Sequence, residues 1–311
     1  MSAPKVIGVD VGGTKILAGV IDEHGNVLER VQVASPAAST EALLAGLDQV
    51  VEKLLAASAG PEIAAIGYGI PSSIDQRSGM VLGTVNLPLQ GLCFRQRMRE
   101  RFGLPVGIDN DANVAAIAEW KAGAGRGAND LVMLTLGTGV GGGLILGGKP
   151  YRGSVGAGAE LGHMVVLQDG PPCYGNCTGH GHLEALASGH AATLAAREQL
   201  GPKVDARELV RRGEAGDEPA LALLRKIGES LGAAFGSLVN IFNPELIVVG
   251  GGFAAAGELI LAPARERMEA ESLPNMAELT RVVVAELGAD AGMIGAGFVA
   301  FEALENVEAT L

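Results

Sequence analysis

The densest chemistry in the sequence is CYGNCTGHGHLE, Cys173 to Glu184, where two cysteines, two histidines and a carboxylate share twelve residues. Four of the five histidines (His163, His180, His182, His190) and two of the three cysteines fall between residues 163 and 190. Cys173 and Cys177 are soft ligands, four residues apart on a glycine-rich loop, close enough to share a tetrahedral zinc ion. His182 can close the site from the carboxyl side and His163 from the preceding strand. Which two of His163, His180 and His182 complete it stays open at this level. Four nitrogen and sulfur ligands leave no open position, so the metal would be structural and not catalytic. The alternative is a Cys173–Cys177 disulfide, disfavoured by an odd cysteine count in a long chain. Glu160 and Glu184 flank the cluster and, with His163, make a row of acceptors for ligand hydroxyls.

Two glycine turns offer a different chemistry. In Asp10-Val11-Gly12-Gly13-Thr14-Lys15 the glycines let backbone amides approach phosphate oxygens, Thr14 adds a donor and Lys15 a positive charge. Asp10, at a strand end, can hold Mg²⁺ directly or through water. The stretch is no Walker P-loop, because Gly-Lys-Ser/Thr is absent and a strand follows the glycines. Gly137-Thr138-Gly139-Val140-Gly141-Gly142 matches the dinucleotide fingerprint literally, and Glu160 lies about twenty residues on. That fingerprint needs a helix next, whereas GLILGGKPYRG reads as strand, so a second phosphate-contacting hairpin fits better. The plainer alternative is that both are ordinary glycine turns. Asp111 stands at the start of a helix, either as its cap or as a carboxylate that takes a proton from an attacking alcohol. Asn110 beside it would orient a hydroxyl.

These residues need elements to hold them. Val6 to Asp22 and Leu131 to Gly148 share one grammar, apolar strand, glycine turn, apolar strand, which suggests duplicated halves. The spacing predicts helices over residues 40–58, 112–123, 217–240 and 255–270, with strands over 62–71 and in PELIVVGGGF. Gly228, Gly232 and Gly236 form a stripe on the long helix where another backbone can approach closely. Alternating strands and helices imply mainly parallel sheets, and two α/β domains with a cleft between them is the economical reading. The 311 residues and 48% hydrophobic content suffice for two cores. A net charge of −12 argues against nucleic-acid or anionic-membrane partners. With no secretory signal and no apolar run of membrane length, a cytoplasmic location is expected.

Taken together, the motifs resemble the ROK group of bacterial sugar kinases and sugar-responsive repressors over essentially the whole chain. DVGGTK is similar to its ATP-phosphate motif, IDNDANVAA to its catalytic-aspartate segment and LGTGVGGG to its second phosphate loop. GAELGH followed by CYGNCTGHGHLEALASG is similar to its sugar and zinc segment, and NPELIVVGGG and AGMIGAG to its later nucleotide-domain segments. The resemblance implies an actin-like, hexokinase-type (ribonuclease H-like) fold of two α/β domains closing over a sugar and MgATP. Residues 1–115 plus 298–311 would form the small domain and 116–297 the large one. Asp111 would be general base toward the 6-hydroxyl of a hexose, most simply glucose. Asn86, Asn110, Glu160, His163 and Glu184 would bind the sugar. Asp10, Gly12, Gly13, Thr14, Lys15, Gly137, Thr138, Gly139, Gly251 and Gly252 would receive ATP and Mg²⁺. Zinc on His163, Cys173, Cys177 and His182 would brace the sugar loop, and the other ring nitrogen of His163 would face the sugar.

Two departures stand out. The family's usual Cys-x-Cys-Gly-x-x-Gly-Cys loop reads Cys173-x-x-x-Cys177 here, with His182 where the last cysteine normally stands. IPSSID replaces the usual Pro-Gly after Gly69, so Ser72 is expected to add a contact near the sugar. The repressors carry an amino-terminal helix-turn-helix, whereas Val6 already starts a hairpin strand, so a kinase is expected. The alternatives are mannose, fructose or N-acetylmannosamine as its sugar, or a non-catalytic sugar-binding or regulatory protein of the same group. A homodimer or homotetramer is expected from the same resemblance.

Overall fold

The computed structural model describes residues 3–57, 63–84 and 87–308. In chain order come β1 (Lys5–Val11), β2 (Lys15–Ile21), β3 (Val27–Ala34), α1 (Thr40–Ala57), β4 (Ile63–Ile70), β5 (Ser72–Asp75), β6 (Met80–Thr84), α2 (Phe94–Phe102), β7 (Val106–Asn110) and α3 (Asp111–Ala122). Next are β8 (Leu131–Leu136), β9 (Val140–Leu146), β10 (Lys149–Pro150), α4 (Leu183–Ala187), α5 (Gly189–Leu200), α6 (Ala206–Glu214) and α7 (Glu218–Phe242). The chain ends with β11 (Leu246–Gly250), α8 (Glu258–Glu271), β12 (Arg281–Val284) and α9 (Ala291–Glu308). Both expected hairpins form, as antiparallel β1–β2 and β8–β9.

The chain divides into two compact units. The first draws its described residues from Met1–Gly127, Pro150–Ala159 and Ala289–Leu311, and the second from Ala128–Lys149 and Glu160–Gly288. Sequence boundaries at 115/116 and 297/298 fall inside α3 and α9, and each of those helices stays whole in the first unit. A helix held by its own hydrogen bonds and one buried face does not divide at mid-length.

The first unit is built on a sheet of order β3-β2-β1-β4-β7, and the second on β10-β9-β8-β11-β12. Both are mixed where mainly parallel sheets were expected. β1 pairs antiparallel with β2 and parallel with β4, just as β8 pairs antiparallel with β9 and parallel with β11. A tight glycine turn can join only antiparallel strands, so the motif that suggested phosphate binding also fixes the sheet type.

Side chains alternate across the first sheet. Ile7, Val9, Ile66, Tyr68, Val106 and Ile108 face one core with Leu43, Leu47 and Phe94 from α1 and α2. The opposite face carries Gly8, Gly67 and Gly107, which pair Gly8↔Gly67 and Gly67↔Gly107 in one row across three strands. A Cβ at these positions would lie 2.1 Å from Met293 O, 1.8 Å from Ala296 O and 2.2 Å from Val299 O. Those carbonyls are three residues apart on α9. Three helical residues rise about 4.5 Å, close to the spacing of about 4.8 Å between strands. α9 therefore crosses the sheet with one carbonyl over each strand. The expected stripe on α7 works the same way, since a Cβ on Gly228 or Gly232 would meet Ile260 O or Ala264 O of α8 at 2.4 and 2.3 Å. No helix among the described residues is long and apolar enough to cross a membrane.

Candidate active site

In the first unit the sheet face under α9 also carries the acidic residues. Alternation from Gly8 places Asp10 on that face, and alternation from Gly107 places Asp109 there. The first turn of α9 comes so close that a Cβ on Gly292 would sit 2.7 Å from Asp10 Cγ. Burial pushes the Asp10 carboxyl up to about 6, the Asp111 carboxylate adds to the rise, and Lys15 opposes it. A buried carboxyl with a second carboxylate beside it suits a hard divalent cation, which takes oxygen ligands and offsets the repulsion.

The end of β7 shows which residue caps α3. Asn110 is the helix cap: its Oδ1 accepts the N–H groups of Ala112 at 2.8 Å and Asn113 at 3.2 Å. Asp111 is the first residue of α3 and accepts the N–H of Ala112 at 3.0 Å. Asn110 Nδ2 points at Ser72 O, 3.4 Å away. Ser72 is buried, and its Oγ has no hydrogen-bond partner, which a ligand hydroxyl nearby would correct. Asn86, the remaining expected sugar contact of this unit, lies outside the described residues.

The tip of the first hairpin is closed by Gly12 N–H donating to Lys15 O at 2.9 Å, and Gly13, Thr14 and Lys15 are exposed. In the second unit Gly137 N–H donates to Gly139 O at 2.9 Å, with Thr138 exposed. β8 and β11 run parallel; Gly137 follows the last residue of β8 and Gly250 ends β11. Gly250 pairs with Thr135, and Gly251 lies against the Leu136 backbone with φ +86°. A Cβ on Gly252 would meet nothing within 4 Å. Glycine-lined carboxyl ends of adjacent parallel strands are where α/β sheets take phosphates.

Gly139 has a packing reason to be glycine that Gly137 lacks. A Cβ there would lie 2.1 Å from Glu184 Oε2, the oxygen that accepts the N–H of Val140 at 3.0 Å. Glu184 Oε1 is 3.7 Å from Cys173 Sγ, so this carboxylate spans from the hairpin to the cysteine loop. Glu160 follows Ala159, a non-glycine residue at φ +65°, and precedes the 3₁₀ turn Leu161–His163. Strained backbone of this kind tends to persist at functional sites. Desolvation raises the Glu160 carboxyl above its ordinary range, His163 lowers it and Glu184 raises it.

His163, Cys173, Cys177 and His182 converge, one ligand atom from each lying within 4.8 Å of all the others. His163 Nδ1 is 3.3 Å from His182 Nδ1, Cys173 Sγ is 3.7 Å from His163 Nδ1, and Cys177 Sγ is 3.5 Å from His182 Nδ1. Tetrahedral zinc, with bonds of about 2.0–2.1 Å to nitrogen and 2.3 Å to sulfur, spaces its ligand atoms about 3.3–3.8 Å apart. The four residues fit that metal in type and in spacing. His180 is turned away, with Nδ1 3.3 Å from Gly170 O. Both cysteines are free, so the disulfide alternative is not formed. Burial, with Cys177 and Glu184 also disfavouring the thiolate, raises the Cys173 thiol to about 11. A bound cation would reverse that by displacing the proton.

Two charged residues outside the expected set, Asp109 and Arg152, meet beside the Asn110–Asp111 turn. The first was visible only as part of a polar helix start. Nothing in the local sequence marked the second.

A profile described as the ROK family matches residues 6–303. A glucokinase of Thermotoga maritima is 36% identical, over 94% of this chain and 96% of that protein. The crystal structure of a ROK hexokinase from Thermus thermophilus is 38% identical with a TM-score of 0.84, covering 97% of this chain and 99% of its own. A ROK family glucokinase from Streptomyces griseus, solved with glucose and AMPPNP, is 34% identical with a TM-score of 0.79, covering 96% and 99%.

Proposed function

Because the chain belongs to the ROK family and has the actin-like, two-domain sugar-kinase fold, we propose that it moves the γ-phosphoryl group of ATP to the 6-hydroxyl of a hexose, glucose first. The observation that carries this reading is the β7–α3 turn, where Asn110 caps the helix and Asp111 stands in its first turn near Asp10. The 6-hydroxyl oxygen attacks the γ-phosphorus, its proton passes to an Asp111 oxygen as the bond forms, and ADP departs with the electrons of the broken bond. Magnesium bound with ATP would neutralise developing phosphate charge, and Asp10 would hold it. Gly12, Gly13, Thr14, Lys15, Gly137, Thr138, Gly251 and Gly252 offer amides, two hydroxyls and a cation for the nucleotide's phosphates, and Gly139 belongs to the same loop.

Asn110, Glu160, Glu184 and His163 would pair with sugar hydroxyls, and a site built to pair a hydroxyl rejects an analogue lacking it. With Nδ1 of His163 in the metal cluster, the sugar contact falls to Nε2. Zinc would be held by His163, Cys173, Cys177 and His182 and would stiffen the loop between Glu160 and Glu184, taking no part in the reaction. Glucose and ATP as the substrate pair are supported by the glucokinase relatives and by the Streptomyces griseus complex with glucose and AMPPNP. A cytoplasmic location is part of the same proposal; a homodimer or homotetramer rests on the resemblance, and sedimentation of the purified protein tests the assembly.

The first experiment measures ADP release from MgATP with glucose, mannose, fructose and N-acetylmannosamine supplied separately. Release with glucose well above the others supports the reading, and silence with all four from folded protein rejects it. Asp111→Asn should lower kcat about 10²–10⁴-fold while calorimetry still detects sugar binding, and near-wild-type turnover would remove Asp111 from its role. Metal analysis should find one zinc per chain, absent in Cys177→Ala. Native protein without zinc would leave the four-residue cluster a plain hydrogen-bonded group.

A further inference from the structure

Asp109 is the member of the polar triplet to which the proposed reaction gives no part, yet its side chain is completely buried. Its Oδ1 accepts the backbone N–H of Asn110 at 2.8 Å and the Asn113 Nδ2 amide at 3.0 Å. Its Oδ2 accepts Arg152 Nε at 2.5 Å, and Arg152 Nη2 donates in turn to Glu302 Oε2 of α9 at 2.7 Å. Asp109 thus grips the chain on both sides of Asp111, at Asn110 before it and Asn113 after it. The guanidinium then fixes Asp109 to α9.

Stability alone is a poor explanation for this arrangement. A buried ion pair seldom stabilises more than well-packed apolar residues of the same volume, because both charges lose their water. Nor is Arg152 needed to fasten its own segment, residues 150–159, to the first unit. Gln76 N–H already donates to Val155 O at 2.8 Å, and Arg77 Nη2 to Ser154 O at 3.2 Å. Burial works against the Arg152 charge, but Asp109 and Glu302 together leave its pKa raised. The fork serves two carboxylates through two different nitrogens, a geometry that a lysine's single point charge cannot reproduce.

We infer that Asp109 and Arg152 are positioning residues for Asp111: Arg152 fixes Asp109, and Asp109 fixes the turn that sets where the Asp111 carboxylate stands. The inference rests on the kinase reading above. It predicts a larger defect in the chemical step than in substrate binding, since a misplacement of about 1 Å at a reacting group can cost about 10²-fold in rate.

The test compares Arg152→Gln, Arg152→Lys, Asp109→Asn and the double variant Asp109→Asn/Arg152→Gln with wild type, by steady-state kinetics and by amide hydrogen exchange. Arg152→Gln should lower kcat about 30-fold or more with KM for sugar and MgATP within about threefold. Arg152→Lys should recover part of that loss. The double variant should be no worse than the poorer single one, because the two residues act as one unit. Exchange should quicken at Asn110, Ala112 and Asn113 and stay unchanged on α7. If Arg152→Gln does not fold, Arg152→Lys carries the same comparison at smaller amplitude. A folded Arg152→Gln with wild-type kcat, a rise in KM alone, or additive losses in the double variant would overturn the inference. A silent wild type would reject the kinase reading instead. In that case exchange decides, and unchanged protection at residues 110–113 in Arg152→Gln sinks the grip on the turn.

Discussion

Gly67 in AAIGYG and Gly137 in LTLGTG look alike in sequence, each set among apolar strand residues with a second glycine two places on. Their surroundings differ completely. A Cβ on Gly67 would be 1.8 Å from Ala296 O, whereas one on Gly137 would find nothing nearer than Gly139 O at 3.9 Å. Gly67 shares its condition with Gly8 and Gly107 beneath α9 and with Gly228 and Gly232 beside α8. Gly137 shares its condition with Gly252, where nothing lies within 4 Å. These glycines therefore answer two separate demands. One is the docking of a helix backbone straight onto a strand or another helix. The other is a loop end kept bare, so that its amides can meet something from outside the chain.

The largest expected consequence lies on the packed side. Gly67→Ala would drive a methyl group into a carbonyl of α9, and neither rigid element can retreat without disturbing Gly8 and Gly107 in the same row. A loss of about 3 kcal/mol or more is expected, beyond the ordinary cost of overpacking, and denaturant titration measures it. A variant within about 0.5 kcal/mol of wild type, the range of neutral surface changes, would mean that α9 does not rest on this row. Gly292→Ala should be milder, because its Cβ would meet the Asp10 side chain, with Oδ2 at 2.8 Å and Oδ1 at 3.0 Å, and not backbone. A side chain can swing aside, so about 1–2 kcal/mol of stability is expected to go. Activity should fall further than stability, with more Mg²⁺ needed for half-maximal rate. An unchanged Mg²⁺ requirement would separate Asp10 from the metal.

How much of this could be read in advance follows from the same contrast. The two hairpins were legible, because strand, glycine turn and strand is a local pattern, and so was the stripe on α7, whose glycines repeat at helical spacing. The row under α9 was not. Gly8, Gly67 and Gly107 lie in three separate strands, and only the sheet register brings them together. The boundary expected at 297/298, just after AGMIGAG, cuts α9, which is one continuous helix of the first unit. At the site, the residue types were legible and their local arrangement was not. Asn110 and Asp111 are both good caps, and only backbone geometry shows Asn110 in that place. His182 and His180 are two residues apart, and the fold of the loop sends one ring to the cysteines and the other to Gly170 O. Arg152 left no local trace, since its partners are forty-three and one hundred and fifty residues away in sequence.

Gly137→Ala has the smallest expected effect on the fold and so sharpens the comparison most. With no atom nearer than 3.9 Å, the added methyl should change stability by no more than about 0.5 kcal/mol. The same methyl would stand where a phosphate oxygen must approach the loop amides, so KM for MgATP should rise about tenfold, or about 1.4 kcal/mol of lost binding. KM for the sugar should stay near wild type. Gly67→Ala makes the opposite pattern, a weakened fold whose surviving native molecules bind nucleotide normally. If Gly137→Ala instead leaves both stability and nucleotide affinity intact, the bare end of β8 is an ordinary turn, and the phosphates must be held by the first hairpin and by Gly251 and Gly252 without it.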